Sequence, residues 1–320
     1  MKLLARGTLT LAVAVLAPMM DAGLALAAPF AYVPNEKSGT VSVIDAATDA
    51  VVGTIKTGGK PRGLAIGNGG KVLYVSDQSS NSLIVINLEK REVAERIKLQ
   101  ESPEGVGISP KGDWVVVASE VSNSINFVSP ETRKAVFSVA TKGKNPEHAH
   151  FSPDGKWLYV SAEDADMVDI VDVEKRAQVN AIKVGDRPRG IGFLPDGSRA
   201  YVAAEIANTV YAIDTATQKV LARIPAGNFS NGVTVHPDGK TVYISNGRDG
   251  TVSVIDVAEN KISATIPVGK RPWNMAITPD GRKLYVANGR SGSVSVIDTA
   301  SRQVTREISV GELPWGVVIQ

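Results

Sequence analysis

Apolar and polar residues of this chain form short alternating runs of strand length, separated by polar or glycine-rich turns. Residues 61–102 show the pattern, with apolar or β-branched runs at 61–66, 71–75, 83–86 and 93–99. Four such runs joined by turn residues predict a four-stranded antiparallel meander. No helical apolar period extends over a helical length in this segment, so the sequence predicts an all-β unit.

The unit repeats along the chain. A Val-Ile-Asp motif or a close variant marks the third run, and successive copies lie 42 or 43 residues apart. Seven copies at this spacing indicate one repeated supersecondary unit, not a series of different domains. We expect the last residue of each copy to cap the turn that follows it. These residues are Asp45, Asn87, Ser129, Asp172, Asp214, Asp256 and Asp298.

Radial stacking of seven such sheets around an axis would bury both faces of each sheet. We therefore predict a seven-bladed β-propeller of four-stranded antiparallel blades over residues 28–320. Residues 314–320 have the pattern of a first strand without a second, and 30–33 that of a second strand without a first. The two termini are expected to complete one composite blade, which closes the ring and removes free sheet edges.

The first strands converge near the axis, where small residues are expected. The position four residues after the repeated proline is small in most repeats, and His150 is the outlier. The series is Ala65, Gly107, His150, Gly192, Thr234, Ala276 and Val318.

The first 27 residues differ in kind from the repeats. Lys2 and Arg6 precede a mostly apolar stretch at 9–20, and Ala25 and Ala27 supply small residues before a cleavage point. This pattern predicts a secretory signal peptide over 1–27. No segment reaches the ~18 apolar residues of a membrane span. We therefore expect a periplasmic or secreted protein.

Composition removes several classes of function. Cysteine is absent, which excludes disulfides, thiolate metal sites and haem attachment through cysteine. The 35 basic and 33 acidic residues give a net charge of +2, which argues against a nucleic-acid partner. No cofactor is indicated. We expect a monomer whose partner is a protein or a small molecule bound on the loop face.

That loop face is formed by the loops entering the first strands and by those joining second to third strands. The residues after the repeated proline, or after Ser230, are Arg62, Glu104, Glu147, Arg189, Asn231, Trp273 and Trp315. The second loops add Glu36, Gln78, Glu120, Glu163, Glu205, Gly247 and Gly289. We predict a ligand site made of Arg62, Glu104, Glu147, Arg189, Trp273 and Trp315. The tryptophans beside Arg62 would either stack a planar ligand or fill the space above the channel.

His148 and His150 stand two residues apart on a predicted strand and so share one face. They could offer two imidazoles to one metal. An oxygen ligand could then come from Glu104, Glu147 or Glu163. The carboxylates at 163–166 could instead hold calcium. Packing near the axis and an acid–base role are the alternatives for the histidines. We expect Trp114 and Trp157 to pack between blades and His236 to be a turn residue.

The second strands carry a tyrosine motif that resembles the Tyr-Val-Thr-Asn signature of the YVTN family of β-propellers. The matching segments are Tyr74-Val75-Ser76-Asp77, Tyr159-Val160-Ser161-Ala162, Tyr243-Ile244-Ser245-Asn246 and Tyr285-Val286-Ala287-Asn288. The resemblance covers the whole chain after residue 27, but one repeat departs from it with Val116-Val117-Ala118-Ser119. The Trp-Asp and Gly-His pairs of WD40 repeats are absent.

Within the YVTN family, the seven repeats and the terminal Pro314-Trp315-Gly316-Val317-Val318 resemble the PQQ-dependent catabolism-associated β-propellers. That resemblance implies a periplasmic accessory of alcohol oxidation by quinoproteins. Four tryptophans and no cysteine argue against the chain being the quinoprotein itself.

Three functions follow as hypotheses. The first is a non-enzymatic binding or scaffold protein of the periplasm, favoured because the sequence lacks a Ser-His-Asp spacing, a phosphate-binding loop and a complete metal motif. The second is a metal-dependent hydrolase or lactonase-like enzyme that uses His148 and His150. The third, implied by the family resemblance, is docking or delivery in alcohol oxidation.

Overall fold

The computed structural model describes residues 29–320, and the predicted signal peptide at 1–27 lies outside the described residues. Residues 29–320 form seven four-stranded antiparallel sheets, each with its strands in chain order from one edge to the other, apart from the sheet that joins the two ends. Neighbouring first strands pack against one another at the centre. The predicted seven-bladed propeller is therefore confirmed.

We number the blades 1 to 7 by the order of their first, or inner, strands. The inner strands are Pro61–Gly67, Pro103–Ile108, Pro146–Phe151, Pro188–Phe193, Ser230–Val235, Pro272–Ile277 and Val318–Ile319. The second strands are Val72–Asp77, Val115–Ser119, Trp157–Ala162, Arg199–Ala204, Thr241–Asn246, Lys283–Asn288 and Phe30–Asn35. The third strands are Ser82–Asn87, Ser124–Ser129, Met167–Asp172, Thr209–Asp214, Thr251–Asp256, Ser293–Asp298 and Thr40–Asp45. The outer strands are Glu92–Lys98, Lys134–Ala140, Ala177–Lys183, Lys219–Pro225, Lys261–Pro267, Gln303–Ser309 and Ala50–Lys56.

One short 3₁₀ turn, Glu163–Ala165, joins the second and third strands of blade 3. Across residues 29–320, no helix has the length and apolar character needed to cross a membrane.

Blade 7 is assembled from both ends of the chain, as predicted. Val318 and Ile319 pair with Tyr32 and Ala31 of the second strand. The Gln320 amide donates a hydrogen bond of 3.0 Å to the Phe30 carbonyl. The inner strand of this blade is only two residues long, but a bridge from Pro314 to Asn35 extends the pairing. The ring is closed by backbone hydrogen bonds.

The hydrophobic core lies between blades. One buried cluster joins Val41 and Val43 of blade 7 to Leu73, Val75 and Ile84 of blade 1, and equivalent clusters lie at the other junctions. The third strands are buried at nearly every position, whereas the outer strands alternate towards solvent. Each sheet covers its neighbour, which explains why the middle strands are apolar on both faces.

Three residues noted in the sequence have structural roles. Trp114 meets Phe127 and Phe137 edge to face within the cluster between blades 2 and 3. Trp157 packs at the junction of blades 3 and 4. His236 contacts the Gly281 carbonyl of the next blade at 3.0 Å.

Two second-strand tyrosines link their blade to the next one. Tyr285 of blade 6 is fully buried and donates its hydroxyl hydrogen to Asp49, in the turn before the outer strand of blade 7. Tyr201 of blade 4 likewise donates to Asn260 of blade 5, at 2.9 Å. The hydroxyl groups of these two tyrosines therefore stabilise the junctions between blades 6 and 7 and between blades 4 and 5.

We expect Tyr285→Phe to lower the free energy of unfolding by about 2 kcal/mol, because the Asp49 carboxylate loses a donor. Tyr159→Phe is the matched control. Tyr159 is equally buried, but its hydroxyl has no hydrogen-bond partner among the described residues, so its removal should leave stability unchanged or slightly higher. Urea denaturation of both variants measures the difference, and equal losses would contradict the prediction.

Candidate functional site

A backbone bulge directs one inner-strand residue of each complete blade towards the loop face. The pairing with the second strand shifts register just after the first inner-strand residue, as between Pro61 and Leu64 or between Pro146 and Ala149. The residues inside the bulge are thereby freed from regular alternation. In several blades, a backbone amide inside the bulge donates a hydrogen bond to a serine hydroxyl of the second strand. In blade 3, for example, the His148 amide donates to the Ser161 hydroxyl at 3.0 Å.

One repeated hydrogen bond holds the two loops of each blade together on that face. The first amide after the second strand donates to the carbonyl of the residue just before the repeated proline, or before Ser230, at 2.8–3.3 Å. The donor–acceptor pairs are Glu36–Leu313, Gln78–Lys60, Glu120–Ser102, Glu163–Asn145, Glu205–Arg187, Gly247–Phe229 and Gly289–Arg271. The two predicted columns of loop residues therefore lie side by side.

These columns surround a cavity of about 230 Å³, which we call the funnel. Every blade contributes to its lining. The lining residues are Glu36, Arg62, Glu120, Glu147, Arg187, Arg189, Asn231, Arg271, Trp273, Asn274 and Trp315. Five of the six predicted ligand-site residues line the funnel. The sixth, Glu104, is fully buried behind Arg62.

Ion pairs between neighbouring blades form the funnel wall. Arg62 of blade 1 pairs with Glu104 of blade 2 and with Glu36 of blade 7, the latter at 3.2 Å. Arg189 of blade 4 pairs with Glu147 of blade 3. The glutamates of the funnel are thus largely neutralised by arginines.

Arg189 is the centre of this network. Its Nε lies 2.7 Å from Glu163 Oε1 and 3.1 Å from Glu205 Oε2, in addition to its contact with Glu147. The three carboxylate side chains are at most 3% exposed. One guanidinium therefore compensates the charges of three buried carboxylates. Arg187 and Arg271 assist it by pairing with Glu163 and Glu205 respectively.

Arg187 and Arg271 were missed by the sequence analysis. Each precedes the repeated proline and has a left-handed φ of 61° and 55° respectively, a conformation that is uncommon for residues other than glycine. Arg271 Nη2 lies 2.6 Å from Glu205 Oε1, and its guanidinium carbon lies 5.9 Å from the Trp273 ring centroid. The sequence contained a pattern that could have identified them, namely the residue before each repeated proline or before Ser230. These residues are Lys60, Ser102, Asn145, Arg187, Phe229, Arg271 and Leu313.

Burial and charge set the acidity of the funnel carboxylates. Burial alone would raise the pKa of Glu147, but Arg189, His148 and Arg62 together outweigh it and lower that pKa to about 2. Burial and the Glu147 charge raise the pKa of Glu163 to about 7. The same two causes raise the pKa of Glu104 well above its usual range and also raise that of Glu120. At neutral pH the funnel therefore holds both charged and protonated carboxyl groups.

The two predicted metal-binding histidines line a second cavity, the central channel, of about 420 Å³. His148 occupies a bulge position that is glycine in most blades, where a Cβ would collide with the next blade. Both its ring nitrogens are buried without a hydrogen-bond partner in residues 29–320. The His148 and His150 ring centroids are 6.3 Å apart, at an interplanar angle of 25°. Their metal binding stays a prediction.

Trp315 separates the funnel from the channel. Its ring stacks on His148 at 5.3 Å and 15°, and both Trp315 and Asn274 line the two cavities. Trp315 is only 9% exposed, whereas Trp273 is partly exposed on the funnel wall. The predicted aromatic pair is therefore split: Trp273 offers a face to a ligand, and Trp315 forms the floor.

Carboxylate oxygens converge at one point of the funnel. Oxygens of Glu104, Glu120 and Glu147 lie within 4.8 Å of one another, and within the described chain no other set of three His, Asp or Glu side chains does so. The acids at 163–166 do not converge, because Glu163 turns towards Arg187 and Arg189.

A pH prediction follows from the channel. Burial, together with the neighbouring His148, lowers the pKa of His150 to about 4. Between pH 6.5 and about 4, the unfolded chain binds a proton at His150 that the folded protein does not, so stability is lost as the pH falls. Relative to His150→Gln, the wild type should lose about 3 kcal/mol over this range. Urea denaturation at both pH limits measures this; a parallel pH dependence in the two proteins would contradict it.

Comparisons with known proteins agree with this architecture. The sequence model of the YNCE-like beta-propellers matches residues 4–320. Among curated proteins, none matches the sequence.

Two solved structures are similar in fold. Hydrazine synthase of Kuenenia stuttgartiensis has a TM-score of 0.78 at 24% identity, over 89% of this chain and 99% of that one. A functionally unknown protein from Desulfotomaculum acetoxidans has a TM-score of 0.79 at 20% identity, over 91% of this chain and 98% of that one. At these identities the likeness is one of fold.

Proposed function

Because the chain belongs to the YNCE-like beta-propeller family, we propose that it is an exported, non-enzymatic binding protein that holds a ligand, or a segment of a partner protein, in the funnel. One observation carries the proposal: all seven blades contribute charged, amide or aromatic side chains to a single closed-bottomed cavity. Such a cavity needs little rearrangement to bind, because its side chains are already held by ion pairs.

The exposed residues of the loop face around the funnel favour a protein partner. In the described chain, most large apolar side chains that are well exposed lie on outer strands, but Val121 and Ile206 lie on the loop face. They follow Glu120 and Glu205 and are 64% and 45% exposed. A charged and aromatic centre with apolar residues at its edge suits a partner that inserts a polar side chain or loop.

The finer assignment rests on the sequence. The tyrosine motif and the terminal Pro314-Trp315-Gly316-Val317-Val318 support a place among the YVTN propellers associated with PQQ-dependent catabolism. On that basis the protein would be exported through cleavage after residue 27 and would act in the periplasm beside an alcohol-oxidising quinoprotein. Amino-terminal sequencing of the mature protein tests export, and a first residue other than Ala28 would contradict the cleavage point.

Site-specific photo-crosslinking in the producing cells tests the binding function. A photoreactive residue at Val121 or Ile206 should capture one discrete partner, and the capture should weaken at least tenfold when Trp273→Ala is added. The same residue at Val136, an equally exposed valine on an outer strand, is the matched control. Equal capture from all three positions, or capture indifferent to Trp273, would contradict the proposal. A partner present only during growth on an alcohol would support the quinoprotein assignment.

A metal-dependent hydrolase remains the second candidate, favoured by the unpartnered nitrogens of His148 in the channel. It requires a transition metal held by both histidines. Elemental analysis of the purified protein should then find one such ion per chain that is lost in His150→Ala. A metal-free wild type without hydrolase activity after reconstitution would remove this candidate.

A further inference from the structure

Three glutamates of the funnel share an arrangement that the proposed binding role does not use. Glu104, Glu120 and Glu147 come from the bulge of blade 2, the loop of blade 2 and the bulge of blade 3. We call them the carboxylate trio. Their oxygens lie within 4.8 Å of one another.

Each member of the trio is held through one oxygen. Arg62 and Gln78 bind Oε1 of Glu104, the latter at 2.8 Å. Arg189 binds Oε1 of Glu147. The Ser102 hydroxyl donates to Oε2 of Glu120 at 2.7 Å. In metal sites, carboxylate ligands are usually oriented by hydrogen bonds from neighbouring side chains in the same way.

The second oxygen of Glu104 points to a missing partner. Glu104 is fully buried, and its Oε2 has no hydrogen-bond partner within residues 29–320. An unpaired buried carboxylate oxygen is costly. A cation at the centre of the trio would remove that cost.

The charge balance of the funnel is compatible with a divalent cation. The funnel network contains six carboxyl groups, of Glu36, Glu104, Glu120, Glu147, Glu163 and Glu205. It contains four guanidinium groups, of Arg62, Arg187, Arg189 and Arg271. Full ionisation would leave two negative charges, so the network either retains protons, as described above, or binds a divalent cation that displaces them.

We infer that the carboxylate trio binds one Ca²⁺ ion. Ca²⁺ accepts six to eight oxygen ligands in a flexible geometry, whereas Mg²⁺ demands a near-ideal octahedron and keeps several of its water ligands, so three converging carboxylates suit calcium better. The Ser102 hydroxyl stands beside the trio as one neutral oxygen, and the funnel leaves room for water ligands. The site is independent of which ligand or partner the funnel binds.

Calcium titration of the full mature protein, stripped of metal with a chelator, tests the inference. Calorimetry should show one Ca²⁺ per chain with a dissociation constant of roughly 10⁻⁴–10⁻³ M, and at least tenfold weaker Mg²⁺ binding. Tb³⁺ should bind in place of Ca²⁺ and emit light transferred from the funnel tryptophans, and Ca²⁺ should suppress this emission.

Glu120→Gln is the informative variant. No arginine pairs with Glu120 among the described residues, so the substitution leaves no arginine without its carboxylate partner. It should weaken Ca²⁺ binding at least tenfold. Glu36→Gln removes the same charge from the same funnel outside the trio and should leave the affinity within about threefold.

Absence of saturable Ca²⁺ binding in the wild type would overturn the site. Equal weakening in the two variants would also overturn it, because it would show general attraction to an acidic funnel. The Tb³⁺ emission needs no variant and decides the matter even if Glu120→Gln does not fold. Failure here would leave the crosslinking prediction for the partner untouched.

Discussion

Removal of residues 314–320 is expected to abolish the stable fold. The deletion takes away Trp315 and Val317, both nearly buried, and the strand that pairs with Ala31 and Tyr32. Loss of a buried Trp alone costs about 3–5 kcal/mol. The deletion also exposes the edge of blade 7 and the packing surfaces of blades 6 and 1. The total approaches the whole stability of a typical protein, about 5–15 kcal/mol.

A circular permutant provides the control for this prediction. The Gln320 amide lies 3.0 Å from the Phe30 carbonyl, so a short glycine–serine linker can join the ends. The chain can be reopened in the exposed turn at Lys111. This protein has the same blades and should melt cooperatively near the wild-type temperature, as followed by circular dichroism. A truncated protein that melts like the wild type would show that the pairing between the two ends of the chain is not needed for the fold.

Arg189→Met is expected to have the second largest effect. The variant leaves the Glu147 carboxylate buried without its paired arginine and removes one of the arginines that pair with Glu163 and Glu205. Removing one partner of a buried ion pair costs about 3–5 kcal/mol. Arg187→Met is the matched control. Its side chain is 44% exposed, and Arg189 still covers both acids that it contacts, so we expect a loss below about 1 kcal/mol.

The loss in Arg189→Met should shrink in acid. Without Arg189, burial raises the pKa of Glu147 in the folded variant, so the variant is penalised at neutral pH and regains stability as this carboxyl is protonated in acid. In the wild type the pKa of about 2 preserves most of the contribution of Glu147 down to pH 4. Urea denaturation at pH 7.5 and pH 4 should therefore show a smaller difference between the two proteins at the lower pH. A difference that is constant or larger at pH 4 would contradict the electrostatic explanation.

The repeat made much of the fold predictable. A 42-residue spacing of strands and turns specifies the blade, and seven copies specify the ring. The unpaired strands at the two ends predicted the composite blade, because a free sheet edge is unfavourable. The short inner strand of blade 7 was not predictable, since two residues carry no pattern.

The composition of the funnel was predictable, but only part of its ion pairing was. Arg62 and Glu104 occupy the same repeat position in consecutive blades, as do Glu147 and Arg189, so their contact could have been read from the repeat register. The roles of Arg187 and Arg271 depend on a left-handed backbone before proline, which local sequence rules disfavour. Whether Trp315 faces the solvent or covers His148 is a choice of rotamer, and strand patterns do not specify rotamers.

The two ends of the chain meet inside one blade and not between two blades, and this has an evolutionary consequence. Since the last strand and the first described strand belong to one sheet, insertion or deletion of a whole repeat unit in the gene would leave that sheet intact. Rings with a different number of blades are thus reachable in single genetic steps. The side chains around the funnel would be reassorted at each step, while the hydrogen bonds between head and tail would be inherited unchanged.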